Sequence, residues 1–167
     1  MSAKKSKGSS QPYHDPSKGR TKNSKIKSSN LICKYCNAVY GEKHWQAFDK
    51  LNFRDIDKLK QSVCPACHEK KNHVSDGVLQ LSGKFLRNHL TEISGIITNT
   101  AATELKRDVL NRIERLDLYP TLVTVYTSKN QLAVEIGKRV NSAYKGGKLD
   151  IKWSKKDKPV SVKWHKD

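Results

Sequence analysis

The chain has 167 residues, 35% of them apolar, with 33 Lys+Arg against 16 Asp+Glu and a formal charge of +17. A mean hydropathy of −0.76 excludes a large buried core, and the lack of any apolar run of about eighteen residues excludes a membrane-spanning helix. The basic start Met1–Lys7 leads into no apolar stretch, so no secretory signal is expected, and the charge points to a polyanionic partner in the cytoplasm.

Residues 1–30 hold eight Lys/Arg against one acid and are otherwise rich in Ser, Gly, Asn and Pro, with Tyr13 and Ile26 as the sizeable apolar groups. Such a segment cannot offset the entropy of ordering itself, so a disordered basic tail is expected. Its cations are Lys4, Lys5, Lys7 and Lys18, then Arg20, Lys22, Lys25 and Lys27. They serve either as a solubilising arm or, the sharper reading, as an arm that settles on phosphates.

Residues 31–76 carry all four cysteines, as Cys33-x2-Cys36 and Cys64-x2-Cys67. A two-residue spacer lets both sulfurs of a pair face one metal, and four soft thiolates suit one structural Zn²⁺. Disulfides would need a secretory route, a redox pair usually stands alone on a βα unit, and a catalytic zinc would keep an open position. His68 beside Cys67 is read as neighbouring the metal or exposed rather than ligating it. Within this zinc-ribbon module Phe53, Ile56, Leu59 and Val63 keep helical spacing, which predicts a short helix leading into the second pair. Trp45 is read as packing over the knuckles, whereas Tyr40 either joins that packing or stacks on a base. Lys70 and Lys71 meet phosphate or form a solvated face.

Residues 77–167 predict a small α+β sandwich in the order α-β-β-α-β-β. After the apolar stretch Val78–Leu81, the residues Phe85, Leu86, Leu90, Ile93, Ile96 and Ile97 recur at helical spacing. Residues 113–118 read weakly as a strand that Pro120 ends, and Leu122–Tyr126 is β-rich. Ser128 is the candidate N-cap of a second helix bearing Leu132, Ile136, Val140 and Ala143. Leu149, Ile151 and Trp153, then Val160, Val162 and Trp164, alternate with polar residues and predict a closing hairpin. Its other face carries Lys148, Lys152 and Lys163, beside the loop cations Lys155 and Lys156. A wet, cationic sheet face suits RNA, and equally lysines blunt an exposed sheet edge.

His89 and Glu92 stand three apart on the first helix, and an acid/base role for them would need a third partner. Together with His44 they are the candidates for an enzymatic reading. No glycine-rich phosphate loop, nucleophile elbow or His-Glu-x-x-His occurs.

Taken in order, Cys33-x2-Cys36, Gly41…Trp45, Cys64-Pro-Ala-Cys67, Asp76-Gly-Val-Leu-Gln-Leu-Ser-Gly83, His89-x2-Glu92-Ile93, Ile136-Gly137, Ala143-Tyr-Lys-Gly146 and Val162-Lys-Trp164 resemble a family of small bacterial zinc-ribbon proteins. The resemblance covers about residues 31–164, spares the tail, and implies a fold rather than an activity. More distantly, tandem Cys-x2-Cys before a small α+β domain is similar to the amino-terminal half of the archaeal and eukaryotic export adaptor of the large ribosomal subunit. This chain departs from that adaptor in having one pair of knuckles and no later domains. The resemblance implies association with the ribosome or with structured RNA. The expected function is therefore that of a non-enzymatic, zinc-containing RNA-binding protein associated with the ribosome or its assembly. Ribosomal RNA is the expected partner, with ribosomal proteins beside it and no membrane. DNA binding, a protein-interaction module and a small RNA-acting hydrolase are the alternatives.

Overall fold

The computed structural model describes residues 31–41, 43–48, 59–72, 74–153 and 159–167. The fold is α+β, with two sheets and three helices among these residues. The tail cations at positions 4–27, Lys155 and Lys156 lie outside the described residues.

The amino-terminal sheet contains β1 (Leu31–Cys33), β2 (Val39–Gly41), β3 (His44–Gln46) and β4 (Lys60–Ser62), in the order β3-β2-β1-β4. Strands β1, β2 and β3 are antiparallel neighbours, whereas β4 returns parallel to β1, with Cys33 opposite Ser62. The helix expected before the second cysteine pair is replaced, over the part described, by this strand; Phe53 and Ile56 lie outside the described residues. Backbone pairing with β1 overrides the helical spacing of Leu59 and Val63. The helix instead follows the cysteines, as α1 (Pro65–Lys71), where Pro65 occupies the first turn and needs no N–H partner there.

The second sheet has the order β6-β7-β5-β9-β8. Its strands are β5 (Gly77–Ser82), β6 (Ile113–Tyr119), β7 (Leu122–Thr127), β8 (Lys148–Lys152) and β9 (Val160–His165). Strand β5 comes ahead of the expected α-β-β-α-β-β order and lies at the centre, antiparallel to β7 and parallel to β9. The connections β5–α2–β6 and β7–α3–β8 are crossovers, and α2 (Leu86–Arg107) packs on α3 (Asn130–Ala143). Apolar residues of both helices meet Leu79, Leu81, Val123, Val125, Val162 and Trp164 in one core. Close approach of α3 is possible because Gly137 has no side chain: a Cβ there would sit 2.7 Å from Val162 Cγ1.

Ser128 does not cap α3; Lys129 precedes the helix with no side-chain cap bond. The Ser128 hydroxyl faces the loop before β6 instead. It donates to the Leu110 carbonyl and accepts from the Arg112 N–H at 2.9 Å. This choice fixes residues 110–112, which the cysteine module then uses.

Candidate metal centre and the open sheet face

The first cysteine pair sits on a turn that leaves β1. Asn37 just after it adopts φ 57°, a left-handed conformation that asparagine tolerates, and its N–H donates to the Cys33 carbonyl at 2.9 Å. The Cys33 N–H closes the loop onto the Ala38 carbonyl at 2.8 Å. Cys64 stands at the start of α1, where its N–H donates to Cys33 Sγ at 3.3 Å, and Cys67 follows on the first turn.

The four Sγ atoms lie within 4.8 Å of one another, so the cysteines can hold one metal ion. None of the four is in a disulfide, and the 3.6 Å between the sulfurs of Cys36 and Cys64 is far beyond a disulfide bond, at about 2.05 Å. A hydrogen bond from the Cys64 thiol, aided by Arg112, pushes Cys36 down to about 4. Donating that bond, together with burial, pushes Cys64 up, and burial raises Cys67 to about 11. One thiolate already has its counter-charge within the protein.

That counter-charge is Arg112, which the sequence did not single out. Its Nη2 donates to Cys36 Sγ at 3.2 Å, its Nη1 faces Cys67 Sγ at 3.7 Å, and its Nε donates to the Val109 carbonyl at 2.6 Å. Val109 and Leu110 also pack with Cys33, Ala38, Trp45, Cys64 and Ala66, so a segment of the body completes the core of the module. Trp45 is 7% exposed in that core, as its packing role required. Tyr40 is half-buried there with its ring 5.5 Å from Trp45. His68 stands outside the sulfur cluster and contacts Asn72.

The helices cover one face of the second sheet, and alternation along its strands sends Lys148, Lys152 and Lys163 to the other. All three are exposed, and Lys152 is 3.5 Å from Asp150. In register across that face lie Arg115, Tyr126, Val78, Ser161 and Lys152. Lys70 and Lys71, both exposed at the end of α1, reach the rim of a cleft where the module meets β6.

His89 meets Glu92 as its spacing suggested, and the sequence did not show the further partners, Tyr144 and Phe85. Its Nδ1 lies 2.7 Å from Glu92 Oε2, and the Tyr144 hydroxyl, from the end of α3, donates to the same oxygen at 3.0 Å. Phe85 stacks on the His89 ring at 4.1 Å. The cluster joins the two helices at the surface, with Glu92 largely in solvent.

No family model, curated protein or solved structure matches this chain. Among the described residues no helix is long and apolar enough to cross a membrane.

Proposed function

We propose that the protein is a non-enzymatic, zinc-containing RNA-binding protein of the cytoplasm that associates with the ribosome or its precursor. The observation that carries this reading is the open sheet face: in a chain of charge +17, both helices pack on one side and leave Lys148, Lys152 and Lys163 on the other. A cationic sheet beside a rigid metal module offers shape and charge to folded RNA.

Zinc is the metal that best suits the donor set. Four thiolates are soft ligands, and tetrahedral Zn–S bonds of about 2.3 Å place sulfurs about 3.8 Å apart, close to the 3.6 Å between Cys36 and Cys64. Cys33, Cys36, Cys64 and Cys67 would hold it, and Arg112 would offset part of the negative charge of four thiolates on one dication. The bound ion would supply folding energy to a module whose apolar core is small.

A sucrose-gradient profile of lysate tests the ribosomal part. The protein is expected in a ribosomal-subunit fraction at low salt and should leave it steeply as salt rises, since each neutralised phosphate adds about 0.7–0.9 to the log–log slope. Absence from every subunit fraction at low salt would overturn it.

A further inference from the structure

We infer that the cleft between the cysteine module and β6 is a binding site for a single-stranded segment of RNA, in which bases stack and the backbone follows the rim. This inference rests on the RNA-binding reading above and adds where, and in what form, the RNA is held.

Two adjoining hollows, of about 480 and 210 Å³, share Lys70 and Glu114 and run from the first knuckle to the open sheet face. The larger falls in the size range of small-ligand pockets. Its floor includes Ala66 and Ile113, and Lys70 and Lys71 stand at its rim. Tyr35 is 55% exposed at one end, although its neighbours Lys34 and Cys36 are fixed by the knuckle, and Lys34 Nζ lies 5.2 Å from its ring centre. At the other end the Arg115 guanidinium lies 3.9 Å over the Tyr126 ring while 59% of the Arg115 side chain remains exposed.

Each of these features has a use in binding an unpaired strand. A solvent-facing tyrosine ring and a guanidinium plane backed by a second ring are both stacking platforms. Lysines along one rim match a backbone with one charge per nucleotide. Glu114, which accepts from the Ser75 hydroxyl, lines both hollows and sets in their wall a negative charge that repels phosphate. Bases therefore go in and phosphates stay at the rim. Paired bases present no free face to Tyr35 or Arg115, so a duplex does not fit. The ion pair of Arg115 with Asp117, at 3.2 Å, is an exposed contact of small energy that a base or phosphate can displace.

Fluorescence anisotropy with the full, metal-loaded chain tests this, using a labelled short single-stranded RNA of mixed sequence and the same RNA as a duplex. The single strand should bind more tightly. Tyr35→Ala and Arg115→Ala should each weaken it by about 5- to 100-fold, as expected for loss of one stacked base. Tyr35→Phe should restore binding, and all variants should keep their metal. Tyr119→Ala, which removes a 60% exposed ring at the far end of the open face, should leave binding unchanged. Undiminished binding by the Tyr35 and Arg115 variants, a preference for the duplex, or an equal loss in Tyr119→Ala would overturn the cleft while leaving RNA binding in place. If the unaltered protein binds neither RNA, the functional reading fails and this one with it.

Discussion

Replacing Arg112 by Met tests whether the body of the protein takes part in holding the metal. The substitution keeps an unbranched chain but removes the guanidinium that bridges Cys36, Cys67 and the Val109 carbonyl. A hydrogen bond to a charged partner contributes about 1.5–3 kcal/mol, and the 3.2 Å contact to Cys36 Sγ counts as one such bond. The 3.7 Å contact to Cys67 is long and adds little. The bond to Val109 is made with or without metal, so it affects folding more than affinity. From a different direction, loss of an outer partner of a metal ligand typically lowers affinity 10- to 100-fold, which is about 1.4–2.8 kcal/mol. The two estimates agree. Competition against a chromophoric chelator should therefore show Arg112→Met releasing zinc at 10- to 100-fold lower chelator concentration than the unaltered chain. Arg112→Lys should fall between them, because an ammonium keeps the charge but cannot reach the carbonyl and the sulfurs together. Affinity within twofold in Arg112→Met would refute the reasoning.

Four further outcomes are expected. Ile97→Ala, at a site of zero exposure between α2 and the sheet, should cost about 2–5 kcal/mol in chemical denaturation, and a loss under 1 kcal/mol would contradict its place in the core. Gly137→Ala should cost about 1–3 kcal/mol because Val162 Cγ1 occupies the space its Cβ needs; unchanged stability would show that α3 can move away. Glu92 is held below the usual carboxylate range, first by His89 and then by Tyr144, so its support of the fold is present above that range and lost as pH falls through the lowered value. An NMR titration should show it moving back toward the ordinary value in Tyr144→Phe, and no movement would contradict the contact. Deleting residues 1–30, which carry eight cations against one acid, should weaken all RNAs by a similar factor and flatten the salt slope; loss of preference among RNAs would show that the tail, not the body, selects.

The elements most legible in the sequence were those with a strong local pattern. The apolar repeat from Phe85 to Ile97 gives α2, and the alternation of Leu149, Ile151, Val160, Val162 and Trp164 gives the β8–β9 pair, whereas Trp153, read as part of the first run, lies past the end of β8 and is 58% exposed. The cysteine spacing reads directly as one cluster of sulfurs, because two-residue spacers bring each pair to one side. What local pattern could not show were the long-range choices. Strand β4 is the polar triplet Lys60-Gln61-Ser62, which becomes a strand only because β1 offers it an edge. Strand β5 was legible as apolar, but its central place depends on β9, some eighty residues later. Ser128 has a capping residue's chemistry, yet the carbonyl of Leu110 and the N–H of Arg112 compete for it and win. Arg112 lies 76 positions from Cys36, so no spacing rule connects them. A basic residue in the loop feeding β6 was the only signal available.

The central claim, that this protein binds RNA of the ribosome, is tested most directly by crosslinking in living cells followed by sequencing of the recovered nucleic acid. The account predicts enrichment of ribosomal RNA or its precursor at a small number of positions, each with an unpaired segment. Recovery of no RNA above the uncrosslinked control, or of DNA in its place, would contradict it.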